Sequence, residues 1–156
     1  MMKLVKPYMK KKVVSFEPED SIFDVAKTLS KHHISGAPVV NSGKVVGVIS
    51  ETDIIKFMRM RLPQESMMLQ EFHILSLLLI SMVKDQLQFK KEIEKMSKIK
   101  VKDLMTKDVI SITPDENVIE AATVMERHKI DRLPVVNAGK LVGIIARPDL
   151  IRALIE

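Results

Sequence analysis

The chain has 156 residues, of which 46% are hydrophobic and 29% are charged, a composition that indicates one compact domain or two very small ones and excludes a disordered chain. The absence of cysteine excludes a disulfide scaffold, a cysteine-based zinc site and a thiol nucleophile. The formal charge of +5 comes with acidic residues interleaved among the basic ones, and the longest near-continuous apolar run, Ile74 to Val83, is about half of a membrane span. We therefore expect a cytoplasmic protein without a membrane partner, and the interleaved charges disfavour nucleic acid as a partner.

A tandem repeat organises the chain. Residues 5–56 align without a gap with residues 101–152, and the match is densest between 37–49 and 133–145. Two copies of one supersecondary unit are therefore separated by an insert.

Each copy begins with a predicted strand and a predicted helix. Short β-branched runs at 13–16 and 109–112 are followed by prolines, which favours strands that stop there. A helix-capping spacing comes next, formed by Ser21 with Asp24 and by Asn117 with Glu120. The helices have apolar positions at helical spacing, namely Ile22, Val25, Ala26 and Leu29 in the first copy and Val118, Ala121, Ala122 and Met125 in the second.

A hairpin and a second helix complete each copy. The turns Asn-Ser-Gly at 41–43 and Asn-Ala-Gly at 137–139 lie between two apolar runs, and their glycines are expected to take a positive φ. The final helix is predicted to start near Ser50 in the first copy and to cover Leu150 to Leu154 in the second. Each copy thus has the predicted order β-α-β-β-α.

These elements predict a mixed α/β (α+β) fold. One copy alone is too small for an adequate core, so we expect the two copies to pack through their sheets as a pseudo-two-fold pair. That arrangement creates two clefts, each built from both copies. The predicted boundaries are 1–62 for the first repeat, 63–98 for the insert and 99–156 for the second repeat.

The insert has the pattern of one long helix or a helical pair. Pro63 suits the first helical turn, and lysines are concentrated toward the other end. The middle is apolar nearly all round, which requires burial on several sides. Three roles stay open: packing across a homodimer, presenting a groove to a target protein, or capping this chain's own core.

Three motifs resemble those of the CBS domain family, in the form of a stand-alone tandem pair. They are Val-Lys-Asp-Leu-Met-Thr at 101–106, His-x-Ile-x-x-x-Pro-Val-Val at 32–40 and 128–136, and Gly-Val-Ile-Ser-x-x-Asp at 47–53. The resemblance implies two clefts that bind adenosyl compounds such as AMP, ADP, ATP or S-adenosylmethionine. It also implies a regulatory sensor that is no enzyme, requires no cofactor and commonly forms a homodimer.

The resemblance places a ribose-binding carboxylate at Asp53, beside the Ser50 hydroxyl. Val48, Val118 and Ile130 form the implied apolar slot for adenine. Arg132 is the implied phosphate partner, since a guanidinium can bind phosphate oxygens bidentately. The whole implied set for this main cleft is Val48, Ser50, Asp53, Thr113, Val118, Ile130, Asp131 and Arg132.

The second cleft departs from the family pattern. Ala146 stands where the first copy has Ser50, and Glu17 stands where the main cleft has Thr113. Losing a hydroxyl and gaining a carboxylate both disfavour a phosphorylated nucleotide. We expect this cleft to be weak, empty or suited to a cationic adenosyl ligand, with the residues Glu17, Ile22, Ile34, Ser35, Gly36, Ile144 and Asp149.

Simpler interpretations stay open for the same residues. Ser50 with Asp53 is also a helix-capping box, and Asp131 is able to pair with a neighbouring cation. The four histidines, without cysteine, do not indicate a metal site, and no nucleophile with a base at workable spacing indicates catalysis. The alternative function is a scaffold or interaction protein that has vestigial clefts and oligomerises through the insert.

Overall fold

The computed structural model describes residues 2–61, 91, 94–95 and 97–156. Its helices and strands in chain order are α1 (Ile22–His32), β1 (Gly36–Asn41), β2 (Lys44–Ser50), α2 (Glu51–Arg61), α3 (Val101–Leu104), α4 (Val118–His128), β3 (Arg132–Asn137), β4 (Lys140–Ala146) and α5 (Arg147–Ile155). The predicted mixed α/β class is confirmed. The predicted helical insert, 63–98, lies outside the described residues except near its end, where residues 91, 94–95 and 97–98 are helical.

Both copies cap their first helix at the predicted residue. The Ser21 hydroxyl accepts a hydrogen bond from the Asp24 N–H at 3.1 Å, and Asn117 Oδ1 accepts one from the Glu120 N–H at 2.8 Å. These bonds satisfy donors that the first turn of a helix leaves without an intrahelical partner. The predicted starts of α1 and α4 are therefore confirmed.

The predicted buried faces of these helices are confirmed at all positions but one. The four predicted residues of α1 are buried, as are Val118, Ala121 and Met125 of α4. Ala122 was predicted to be buried and is exposed. It lies three residues after Ile119, on the same side of the helix, and Ile119 is exposed as well. The buried stripe of α4 is therefore narrower than that of α1.

Each hairpin turns through a glycine with a positive φ, as predicted. Gly43 has φ 81° and Gly139 has φ 79°, and the residues before them, Ser42 and Ala138, also have positive φ. Two successive residues of this kind match the right-handed twist of the flanking strands. The four strands form a sheet in the order β1-β2-β4-β3, in which β3 and β4 are antiparallel.

The first predicted strand of each copy is reduced to a single bridge. Phe16 bridges Val39 and Ile112 bridges Val135, both in parallel orientation. A parallel ladder continues at every second residue on each strand, so the next hydrogen bonds would need N–H groups at two prolines of each copy. Those prolines are Pro18 and Pro38 in the first copy and Pro114 and Pro134 in the second. Proline has no N–H, so the predicted strands 13–16 and 109–112 were wrong in extent.

Contacts divide the chain into two compact units. The α4 unit comprises Met1–Val14, Val40–Val46 and Asp108–Glu156, and the α1 unit comprises Ser15–Val39 and Gly47–Lys107. The leading segment of each copy, 5–14 in the first and 101–107 in the second, therefore belongs to the unit that holds the other copy's first helix. The predicted boundaries after residues 62 and 98 follow the sequence repeat and stay a prediction.

Each unit has an aliphatic core. In the α4 unit the buried apolar cluster is Val5, Ile112, Val118, Ala121, Met125, Leu133, Val135, Ile145, Leu150 and Ala153. In the α1 unit the buried apolar residues are Phe16, Ile22, Val25, Ala26, Leu29, Ala37, Val39, Ile49, Ile54 and Val101. Val5 and Val101, which hold the same place in the repeat, have no exposed surface, so both leading segments are anchored in these cores.

Glycines allow the leading segments to approach the strands closely. A Cβ at Gly143 would lie 2.7 Å from Met9 Sδ, and a Cβ at Gly47 would lie 2.7 Å from Met105 Sδ. The backbones beside them are hydrogen-bonded in both directions, Lys10 with Ile144 at 2.8 and 2.9 Å and Thr106 with Val48 at 2.9 Å each way. The ends of β2 and β4 are therefore held from one side by these segments.

Candidate ligand-binding site

The junction of β2 and α2 holds the Ser50 and Asp53 pair in the α1 unit. Asp53 Oδ2 accepts hydrogen bonds from the Ser50 N–H at 2.9 Å and from Ser50 Oγ at 3.0 Å. The Asp53 N–H is 3.4 Å from Ser50 Oγ. The capping-box interpretation is therefore confirmed, because Ser50 and Asp53 cap the N-terminus of α2 reciprocally.

The cap leaves part of the Asp53 carboxylate available. Asp53 is half-buried, and its hydrogen bonds from described residues all reach Oδ2. A carboxylate has two oxygens with about four acceptor positions between them. Asp53 can therefore cap α2 and still accept from a pair of hydroxyl groups.

Residues that the sequence assigned to the second cleft lie next to this junction. The Ser35 carbonyl accepts a hydrogen bond from the Glu51 N–H at 2.9 Å, and a Cβ at Gly36 would lie 3.0 Å from the Ile49 carbonyl oxygen and 3.3 Å from Ser50 Cβ. Gly36 therefore lets the start of β1 lie directly against the end of β2. Ile34 is half-buried and Glu17 is exposed.

Two predicted apolar contact residues are almost wholly enclosed by protein. Ile22 is 0% exposed and Val118 is 6% exposed, and each is the first residue of its helix. Val48, Ile130 and Ile144 are half-buried. The half-buried residues have surface for a ligand to cover, whereas Ile22 has none.

The polar residues predicted for the main cleft from the second copy lie at two loops of the α4 unit. Thr113 is exposed just before α4, and its carbonyl accepts from the Glu116 N–H at 3.3 Å. Asp131 directly precedes β3 and is exposed, and Arg132 is the first residue of β3 and is half-buried. Asp131 pairs with Arg147 across 3.0 Å. Both side chains are more than half exposed, so the pair contributes little to stability.

The second copy's equivalent of Asp53 has different surroundings. Asp149 is 3% exposed, and its Oδ2 accepts from the Ala146 N–H at 2.9 Å. Arg152 Nη2 lies 3.6 Å from Asp149 Oδ1 and donates to the Tyr8 carbonyl at 3.0 Å. Sequence reasoning missed Arg152, although its spacing of three from Asp149 on one helix was a usable signal.

Other site chemistry is limited in the part of the chain that the structure describes. No group of three or more metal-ligating side chains gathers among those residues. No described helix is both long and apolar enough to cross a membrane.

A hydrogen bond from Lys102 to Glu19, helped by the charge of that carboxylate, raises the pKa of Lys102. The Lys102 ammonium is therefore paired with the Glu19 carboxylate.

Comparison with known proteins supports the interpretation of the repeat. The family model for the CBS domain matches residues 5–60 and 101–156. The chain is 41% identical over 155 residues to the uncharacterized protein MJ1426 of Methanocaldococcus jannaschii, covering 97% of this chain and 91% of that protein. It is 26% identical to an inosine-5'-monophosphate dehydrogenase of Korarchaeum cryptofilum but spans only 24% of that enzyme.

Solved structures with the same fold include two ligand complexes. The crystal structure of CBSX2 in complex with AMP has 25% identity and a TM-score of 0.70, covering 98% of this chain and 96% of that one. The CBS domain pair of MJ0100 in complex with 5'-methylthioadenosine and S-adenosylmethionine has 26% identity and a TM-score of 0.68, covering 99% and 97%. With both copies matched by the family model, this chain belongs to the CBS domain family.

Proposed function

We propose that this chain is a regulatory sensor that binds an adenosyl ligand, of the AMP, ADP and ATP type or S-adenosylmethionine, through Asp53. The observation that carries the proposal is the half-buried carboxylate at the β2–α2 junction, whose described hydrogen bonds all reach one oxygen. The other oxygen suits the two hydroxyls of a ribose. Complexes of CBSX2 and of the MJ0100 pair with adenosyl compounds support the ligand class.

The neighbouring groups fit a phosphorylated or charged adenosyl compound. The Ser50 hydroxyl can donate to a phosphate oxygen once it turns from Asp53, and the N-terminus of α2 favours an anion. In the proposal, Val48 and Ile130 cover the adenine, and Thr113, Asp131 and Arg132 of the second copy complete the cleft. Val118 is almost fully buried, which leaves it little surface for the proposed adenine slot.

We propose a regulatory role rather than a catalytic one. The matched region forms only part of the dehydrogenase relatives, so their reaction is not assigned to this chain. Ligand binding is proposed to require no metal or other cofactor. The signal passes to a second copy of the chain or to a target protein.

Isothermal titration calorimetry with AMP, ATP and S-adenosylmethionine tests this function. Asp53→Asn should weaken binding tenfold to about a hundredfold, because hydrogen bonds to a charged group contribute roughly 1.5–3 kcal/mol. Asp24→Asn is the matched control, since Asp24 accepts from the Ser21 hydroxyl at 3.0 Å in the same capping motif on α1. No binding by any of the three compounds at about 1 mM, or equal loss in both variants, would refute the proposal.

A second candidate function is an oligomeric scaffold, and one observation favours it. Large apolar side chains are exposed on α4 and α5, at Ile119 (68%), Ile151 (60%), Leu154 (69%) and Ile155 (82%). Two of them, Ile119 and Leu154, line a groove of about 280 Å³ together with Met2. Exposed apolar surface of this kind is typical of protein contact sites. The insert, which would serve oligomerisation in this second candidate function, lies outside the described residues except near its end.

Sedimentation velocity distinguishes the two candidates. The scaffold function predicts an oligomer that is unchanged by adenosyl compounds and by Asp53→Asn. The sensor function predicts a calorimetric binding signal whose affinity Asp53→Asn weakens, whatever the oligomeric state. A chain that binds no adenosyl compound but stays oligomeric would favour the scaffold.

A further inference from the structure

The Asp149 carboxylate of the second copy makes its contacts within its own unit. Asp149 is 3% exposed; Oδ2 accepts from the Ala146 N–H, and Oδ1 faces Arg152 at 3.6 Å. The same guanidinium nitrogen donates to the Tyr8 carbonyl at 3.0 Å, so Arg152 links α5 to the leading segment of the chain. Both oxygens of Asp149 are therefore engaged inside the α4 unit.

The first copy lacks this arrangement. Lys56 holds the repeat position that corresponds to Arg152, and it is exposed. Among the described residues, the ion pairs do not include one between Lys56 and Asp53. Asp53 stays half-buried, and its described hydrogen bonds come from Ser50.

The difference between arginine and lysine accounts for the contrast. A guanidinium has several donors in a fixed plane and can reach a carboxylate and a carbonyl together. An ammonium is a more strongly hydrated point charge on a flexible stem, and it gains less from leaving water for a single partner. The arginine therefore holds a buried carboxylate, whereas the lysine stays in solvent.

We propose that Arg152 is a positioning residue that keeps Asp149 from accepting a ribose, so that this chain binds one adenosyl ligand, at Asp53, and not two. The inference rests on the proposed function and adds to it the number of ligands and the residue that sets that number. A ribose at Asp149 would have to displace Arg152 and open a carboxylate that the unit encloses. At Asp53 the approach requires neither change.

The test is a reciprocal exchange measured by calorimetric stoichiometry with AMP and with S-adenosylmethionine. The wild-type chain should bind one ligand per chain. Arg152→Lys should add a second binding event, and Lys56→Arg should weaken the Asp53 site by about tenfold, the effect of losing one charge-assisted hydrogen bond. Ala146→Ser is the matched control, since it restores the hydroxyl beside Asp149 without releasing the carboxylate. It should leave one ligand per chain.

The outcomes separate this inference from the function on which it rests. A wild-type chain that binds neither compound overturns both. Two results would overturn the inference alone. One is a wild-type chain that binds two ligands. The other is one ligand per chain in both wild type and Arg152→Lys, together with an unchanged affinity of the Asp53 site in Lys56→Arg. A second site that appears in Ala146→Ser would assign the effect to the hydroxyl instead. Lys56 is exposed, so Lys56→Arg keeps the test decisive if Arg152→Lys fails to fold.

Discussion

Replacing Gly47 by alanine should destabilise the protein strongly for a single methyl group. The new Cβ would lie 2.7 Å from Met105 Sδ and 3.0 Å from the Thr106 carbonyl oxygen, well inside an ordinary contact of about 3.5–4 Å. The methionine can turn away, but the Thr106 backbone is held by two 2.9 Å hydrogen bonds to Val48. Overpacking of this kind costs about 1–3 kcal/mol. We expect a value near the upper end, because relieving the clash weakens those bonds.

Urea denaturation of four chains measures this clash. They are wild type, Gly47→Ala, Met105→Ala and the double variant. Because part of the strain comes from Met105, the double variant should be more stable than the sum of the single effects predicts, by about 1 kcal/mol. Gly43→Ala is the control, since Gly43 has φ 81° and nothing within 4 Å of an added Cβ. Its backbone strain of about 1 kcal/mol should not depend on Met105.

Two results would refute the reasoning. One is a Gly47→Ala chain whose free energy of unfolding stays within about 0.5 kcal/mol of wild type, the range of an inconsequential surface change. The other is strict additivity of Gly47→Ala and Met105→Ala. Either result would mean that Met105 and Thr106, which follow α3, do not lie against β2 as described.

The remaining predictions concern caps, core and surface. Ser50→Ala and Ser21→Ala should each lower the free energy of unfolding by about 1 kcal/mol, because each removes a helix cap. Only Ser50→Ala should weaken ligand binding, and an equal loss of affinity in both variants, measured by calorimetry, would contradict this. Met125→Ala should cost about 2–5 kcal/mol, because Met125 is 2% exposed in the α4 core, and a small effect in urea would place the side chain elsewhere. Ile119→Glu should leave stability within about 0.5 kcal/mol and lower any self-association seen in sedimentation.

The features that depend on local chemistry could be predicted from the sequence. The capping residues Ser21 and Asn117 act over three residues, and the glycines of the two hairpins supply a backbone conformation that few other residues adopt. The repeat shows each of these signals twice, so the order of the elements could be predicted as well. The Ser50 and Asp53 junction was found in the same way, since its geometry is set within one turn.

The features that depend on distant pairing could not be predicted. Met9 lies against Gly143, and Met105 lies against Gly47. The sequence shows only that a glycine and a methionine recur in both copies, and it does not reveal their contact. The first strands looked regular because the prolines that interrupt their ladder include Pro38 and Pro134 of the partner strands. The ion pair of Asp131 with Arg147 joins the residue before β3 to the first residue of α5, which the register of β3 and β4 brings together.

The contrast between Asp53 and Asp149 shows why a motif alone does not define a site. Both residues cap a helix through the same spacing, and both caps are present in the structure. Burial and the arginine three residues later distinguish them. The groups that surround each carboxylate depend on the folded structure, so the sequence motif alone does not reveal this difference.

A crystal structure of the chain with bound AMP would test the central claim most directly. The claim predicts one adenosyl ligand per chain, with its ribose hydroxyls within hydrogen-bonding distance, about 2.5–3.0 Å, of the Asp53 carboxylate. It also predicts that Arg152 still faces Asp149 in the complex. A ligand whose ribose lies at Asp149, or one that contacts neither carboxylate, would contradict the claim.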